Sequence, residues 1–318
     1  MKTTIATATL VLSAALIPVT LARAAPPAAP KTKDSTIDVW VRGKDAPGAA
    51  RGVRLKTQTL DLDTLPLQTI EIYDAQYQQA HAYRGIFLGA LLERAAPDAS
   101  TDLAILHFAN GMAIPLPFRD REVMKRLDPF VARGMRAEPN GPVVNGLFPR
   151  ITKKEARSDG RADARPIAFS GNKVVVIERW HPAVPAKALG VFSPWVHADT
   201  LTGIELASAP AYYGQFDVPG SADVHQGLEQ FQQSCQFCHG ARGVGAKLGW
   251  DFVEPTPMYS YRPKPRNLFF HVAYKPSDAA ERGLMMPAMR HMTEADAAVL
   301  WRWLKAVATE TMPAYSPK

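Results

Sequence analysis

Short runs of β-branched and aromatic residues recur along the first two thirds of the chain. They are Ile37-Asp-Val-Trp-Val41, Gln68-Thr-Ile-Glu-Ile-Tyr73, Ala104-Ile-Leu-His-Phe108 and Lys173-Val-Val-Val-Ile177. Turn formers separate them, and the pattern predicts strands. The period changes over Gly85–Ala95, where Ile86, Leu88, Leu91 and Leu92 fall on one face of a helix that stops before Pro97. The last third reads differently. Gly227, Phe231 and Cys235 are spaced four residues apart and share one helix face. Thr293, with Asp296 three positions on, marks a helix start. Leu300, Trp303, Leu304 and Val307 then form an apolar stripe over Glu294–Ala308. Small Gly227 suits a close helix crossing, and the terminal stripe is its expected partner. The distribution predicts an α+β, mostly β, domain over residues 35–217 and an all-α domain over 222–318, with Pro219-Gly220 at the junction.

The extreme amino terminus belongs to neither. A basic start, Met1-Lys2, precedes an apolar run from Ile5 to Leu21, and Ala22-Arg23-Ala24 places small residues at the two positions a signal peptidase reads. Residues 1–24 are therefore expected to be a signal peptide cut before Ala25, and the Pro- and Ala-rich stretch 25–34 a tether. The run is short for a bilayer span and holds Pro18, so no stable membrane anchor is expected. The mature chain is expected in the periplasm.

Composition is that of a globular protein, 47% hydrophobic in 318 residues. The formal net charge of +7 is spread along the chain, and no basic run interleaves with aromatics. That excludes a nucleic-acid groove and leaves a mild positive field suited to acidic partner proteins.

The chemistry concentrates in the two cysteines. They stand in Cys235-Gln-Phe-Cys238-His239. A disulfide across so short a loop would stabilise little, and the flanks are not those of a thioredoxin-like βαβ unit. C-x-x-C-H is the haem attachment pattern: each thiol adds to one vinyl group, and the following imidazole reaches the iron. A glycine-rich stretch, Gly240-Ala-Arg-Gly-Val-Gly245, follows and suits a loop wrapped around a flat cofactor.

Residues 222–312 resemble a class I, single-haem cytochrome c domain, through Gly227, Phe231, Cys235, Cys238, His239, a Met-Pro pair and the aromatic terminal helix. The resemblance implies one covalent haem c, with His239 and Met286 as axial iron ligands. A thioether raises the reduction potential relative to a second imidazole. Met285 and Met289 are the alternatives to Met286; His271 and His291 rank below them. Pro263, Pro265, Arg266 and Asn267 are read as a proline-rich loop between the haem-facing parts, with Arg266 and Asn267 as candidates for a haem propionate.

A second resemblance covers part of the larger domain. Tyr83-Arg-Gly-Ile-Phe-Leu-Gly-Ala-Leu-Leu92, Asn110-Gly111 and Ile114-Pro-Leu116 are similar to a segment of the sulfite-oxidase-type molybdopterin-binding fold, with Leu201–Glu205 as a closing strand. That family binds molybdenum through a cysteine thiolate, and residues 35–217 contain no cysteine, so a molybdenum cofactor is not expected. The resemblance then implies a docking or scaffold module. His81, His107, His181 and His197 show no short ligand spacing. Asp199 and Glu205, near His197, read as solvated loop residues, with an acid–base set as the rival. Phe118-Arg-Asp-Arg-Glu122 reads as a solvated face or an intramolecular salt-bridge set, with partner docking as the alternative.

The expectation is an exported one-electron carrier docking a redox partner protein, rather than a stand-alone catalyst. The alternative is an oxidoreductase whose amino-terminal domain binds a substrate or cofactor. A haem-based sensor would need a labile sixth ligand.

Overall fold

The computed structural model describes residues 35–42, 54–74, 79–136, 141–148, 169–188, 192–214, 216–274 and 286–309. The signal peptide, the tether and Met285 lie outside them.

The first sheet is built around β1 (Thr36–Arg42), which pairs antiparallel with β2 (Arg54–Asp61). The second gathers β3 (Gln68–Asp74) and β4 (Gln79–Phe87), with α1 (Leu88–Ala95) leading back to the first sheet. Next come β5 (Leu103–Phe108), β6 (Ala113–Leu116) and α2 (Arg121–Leu127). The second sheet continues through β7 (Phe130–Arg136), β8 (Val143–Phe148), β9 (Phe169–Gly171) and β10 (Lys173–Val175), and α3 (Pro194–His197) leads to β11 (Leu201–Ala207). The orders are β2-β1-β11-β5-β6 and β3-β4-β7-β8-β9, with β10 on β7. Strand β11 runs parallel to β1, Val39 opposite Ile204. In β5, Leu103, Ala104, Ile105 and Leu106 are all buried, because its two neighbours and the layers above and below exclude water; this explains its unbroken apolar run.

The expected helix over Gly85–Ala95 begins three residues later, and β4 occupies its first turn. Gly85 is the reason. It sits at a register shift between β4 and β7, where a Cβ would lie 2.1 Å from the Val131 carbonyl oxygen. The strand expected to reach Ile177 ends at Val175.

After α4 (Ala209–Tyr213) comes α5 (Ala222–Ser234), then β12 (Gly240–Ala241), β13 (Val244–Gly245), α6 (Met258–Tyr261), α7 (Pro265–Ala273) and α8 (Glu294–Thr309). The expectation of an α+β domain followed by an all-α domain is corrected here. The chain is a mixed α/β protein, and its carboxy-terminal part carries the antiparallel β12–β13 sheet. The cause is local: Arg242, Gly243 and Gly245 adopt positive φ (55°, 75° and 100°), so the glycine-rich stretch folds into a tight hairpin instead of an open loop. The segment read as a proline-rich loop is also partly helical, with Pro265 in the first turn of α7, where a missing N–H is tolerated.

The expected helix crossing is present. A Cβ on Gly227 would sit 2.3 Å from the Val299 carbonyl oxygen, so only glycine permits this approach of α5 to α8. The Phe231 and Trp303 rings meet at 4.8 Å. Thr293 Oγ1 accepts from the Asp296 N–H (3.1 Å), and Asp296 Oδ2 accepts from the Thr293 N–H (2.9 Å), a reciprocal cap on α8. One buried apolar cluster includes Ile37, Leu106, Phe237 and Trp303 and so runs through both parts of the chain.

Candidate functional site

The end of α5 delivers the C-x-x-C-H motif. The Cys235 and Gln236 N–H groups donate to the Phe231 carbonyl (2.8 and 2.9 Å), and those of Cys238 and His239 donate to the Cys235 carbonyl (3.1 and 2.9 Å). The motif is therefore wound like a continuing helix, which sets Cys238 and His239 each about one turn beyond Cys235. Both cysteines are unbridged. Burial pushes both thiols up to about 12, with the neighbouring Cys238 adding to the shift of Cys235, so both are neutral at physiological pH.

His239 is held from two directions. Its Nδ1 lies 2.8 Å from the Trp250 carbonyl oxygen, a contact that places the proton on Nδ1 and the lone pair on Nε2. Its ring stacks on Phe252 at 4.4 Å. A Cβ on Gly249 would fall 2.2 Å from the imidazole, so this glycine makes room for the ring. The loop behind it is pinned by Asp251, whose carboxylate accepts from the N–H groups of Arg242, Gly243, Val253 and Glu254 at 2.7–3.1 Å. Arg242 donates through Nε to the Val307 carbonyl (2.9 Å), fixing the hairpin to the last turn of α8.

The two middle residues of the motif tie it to the rest of the molecule. Gln236 Oε1 accepts from the Tyr213 hydroxyl (3.1 Å). The Phe237 carbonyl accepts from the Ala113 N–H on β6 (3.1 Å), and its fully buried ring packs against His181 and Phe192. Sequence reasoning missed this anchor, since no spacing rule says what the middle positions touch.

The remaining ligand candidates separate. Met286 is half-buried against the main core, and Met289 is buried, its N–H donating to the Val272 carbonyl (2.8 Å) beside α7. His271 Nδ1 faces the Arg262 guanidinium (3.2 Å). His291 Nε2 pairs with Ser234 Oγ (3.2 Å); burial, then the charge of Lys187, holds its pKa below the ordinary value. Arg266 and Asn267 are exposed on α7, with Arg266 over the Phe270 ring (5.2 Å).

In the first sheet, Asp199, Glu205 and His197 do not come together. Asp199 accepts from the Thr200 N–H (2.7 Å), while the His197 carbonyl accepts from Asn110 Nδ2 (2.8 Å). Glu205 is no solvated loop residue: it is buried on β11 between Arg42 and His107, with His107 Nε2 3.0 Å from its carboxylate. Burial pushes the Glu205 carboxyl up, but the His107 hydrogen bond and Arg42 outweigh it and hold the group below its usual value. The 118–122 cluster is structural: Asp120 caps α2 through the Glu122 and Val123 N–H groups (3.0 and 3.1 Å), and Arg119 donates to the Thr101 and Asp98 carbonyls.

Among the described residues no group of three or more His, Cys, Asp or Glu side chains converges as a metal site, and no helix is long and apolar enough to cross a membrane. Neither the protein-family models nor the curated proteins compared with the chain match it.

Proposed function

We propose that the chain is an exported c-type cytochrome that carries single electrons through one covalently bound haem and docks a redox partner protein. The observation that carries this reading is the way the chain presents Cys235, Cys238 and His239: two neutral thiols and an imidazole within about one helical turn, with His239 Nδ1 held by the Trp250 carbonyl. An imidazole destined for a metal commonly gives its other N–H to a carbonyl in this way, which fixes the tautomer and the ring.

These residues fit a haem. Cys235 and Cys238 would hold it covalently as thioethers. His239, through Nε2, and Met286 are the residues that would hold its iron. Bound haem supplies a one-electron couple at its iron. The chain's own part is to bury the attachment cysteines, orient His239 through Trp250 and Phe252, and keep the site fixed to the sheets through Phe237. The basic surface charge of the whole chain suits an acidic partner. The leader over residues 1–24 supports export to the periplasm, where the attachment would be completed.

Absorption spectra of the matured full-length protein, oxidised and reduced, with and without carbon monoxide, test the reading. A reduced c-type spectrum, a far-red sulfur-to-iron band on oxidation and no carbon monoxide shift are expected. Absence of covalent haem from protein matured in a host that attaches haem to other cytochromes would reject it.

A further inference from the structure

Asp251 stands between the two residues that hold His239. Trp250 supplies the carbonyl oxygen 2.8 Å from Nδ1, and Phe252 supplies the ring stacked 4.4 Å from the imidazole. The Asp251 carboxylate gathers the backbone around it in two ways. Oδ1 accepts from the Val253 and Glu254 N–H groups (2.8 and 2.9 Å), two and three positions ahead. Those are the local bonds that an aspartate makes when it opens a turn. Oδ1 also accepts from the Arg242 N–H (3.1 Å), and Oδ2 from the Gly243 N–H (2.7 Å), nine and eight positions back. A turn has no use for that second pair, which reaches across to the β12–β13 hairpin.

The hairpin is a firm point to hold. Arg242 and Gly243 are the two central residues of its turn, both at positive φ, and the buried Arg242 side chain donates to the Val307 carbonyl on α8. What is held matters as much. The Trp250 carbonyl and the Asp251 N–H belong to one planar peptide unit, so anchoring Asp251 sets the direction in which that carbonyl points. The next peptide is anchored separately, by the Phe252 N–H to Gly240 carbonyl bond (2.9 Å).

We infer that Asp251 is the positioning residue of His239: by gripping the hairpin turn, its carboxylate keeps the Trp250 carbonyl facing Nδ1. The residue type suits the task. A carboxylate has two oxygens that only accept, whereas an asparagine amide would turn an N–H toward a backbone N–H. The consequence for iron rests on the haem reading. Nε2 keeps its lone pair while Nδ1 carries the proton, and a carbonyl that holds this proton makes the imidazole a stronger donor.

Nitrogen-15 magnetic resonance of the His239 ring, in the full chain made without haem attachment, tests the inference by reading the tautomer. The wild type should hold the Nδ1–H form. Asp251→Ala removes all four bonds and should bring His239 to the tautomer ratio it shows in the urea-unfolded chain. Asp251→Asn keeps Oδ1 for Arg242, Val253 and Glu254 but loses the acceptor for Gly243, and should lose part of the Nδ1–H population. A role confined to turn stability would lower the melting temperature of both variants and leave the His239 nitrogen shifts of the folded protein unchanged. That result, or a wild type without the Nδ1–H form, overturns the inference. Should Asp251→Ala fail to fold, Asp251→Asn decides by the same shifts. In haem-loaded protein the variants should raise the reduction potential in the same order, because a weaker donor favours ferrous iron. Absence of covalent haem from the wild type would reject the functional reading alone, and the tautomer result would still stand or fall by itself.

Discussion

The His181 imidazole meets the Phe237 ring edge-to-face, centroids 4.9 Å apart and planes at 83°. His181 belongs to the segment that leads from the second sheet into α3, and Phe237 lies between the two cysteines. The contact joins the Cys235–His239 segment to the sheets, together with the Phe237 carbonyl bond to Ala113.

Phe237→Ala should therefore destabilise the whole molecule, not only the motif. Removing a fully buried phenyl ring costs about 3–5 kcal/mol, because the lost transfer energy is joined by the cavity left behind. Urea unfolding followed at once by far-ultraviolet dichroism and tryptophan fluorescence checks this. Both probes should shift together to a lower midpoint; a shift in one alone would mean that the two parts unfold separately.

His181 itself makes stability depend on pH. Burial holds its pKa at about 4, against 6.5 for the free side chain, with the Pro115 carbonyl bond (2.7 Å) opposing the shift only in part. The folded state thus keeps the imidazole neutral, and between pH 6.5 and 4 the unfolded state binds more protons. The contribution is full above pH 6.5 and fades as pH falls toward 4, by about 3 kcal/mol. Urea midpoints at pH 7, 6, 5 and 4.5 should show this loss. His181→Gln, which keeps a donor for Pro115, should flatten the profile in that window while lowering stability at pH 7.

Part of this architecture is legible in the sequence and part is not, for physical reasons. The stripe at Leu300, Trp303, Leu304 and Val307 packs against α5 as its spacing implies, because helix periodicity survives wherever one face is buried. The β12–β13 strands are two residues each, too short to leave any period. Strand β7 is disguised by Arg133, a buried cation whose guanidinium pairs with Asp63 (3.0 Å), seventy positions away in sequence. Lys173 and Glu205 lie in runs that read as strands, but nothing in those runs marks the two charges as buried. A buried charge reads as a surface residue until its partner is seen. The Cys-x-x-Cys-His pattern can be read because its spacing is local, whereas the Arg42–Glu205–His107 cluster draws on three distant strands and leaves no spacing to find.

Lys173 and Asp74 form a buried ion pair (2.6 Å), and the Tyr83 hydroxyl donates to the same carboxylate oxygen (2.6 Å). Lys173→Met leaves the buried Asp74 carboxylate without its lysine cation and should cost about 3–5 kcal/mol. The double variant Lys173→Met/Asp74→Asn removes both charges and keeps an acceptor for Tyr83. It should recover much of that loss. Denaturant unfolding of the two variants beside wild type measures the difference; a double variant no more stable than Lys173→Met would show that the carboxylate serves Tyr83 more than the lysine.

The proposed haem attachment divides into covalent and axial parts that respond to different changes. Cys235→Ala or Cys238→Ala should leave a single thioether and reduced haem retention, and changing both should abolish covalent haem, read by haem staining after denaturing electrophoresis. Met286→His exchanges a neutral thioether for a more strongly donating imidazole, which favours ferric iron. The reduction potential should fall, and the far-red sulfur-to-iron band of the oxidised protein should vanish. Met289→Leu should change neither, because Met289 is buried in the main apolar core, where leucine can replace it as an apolar filler. Loss of the far-red band in Met289→Leu but not in Met286→His would move the proposed iron ligand to Met289.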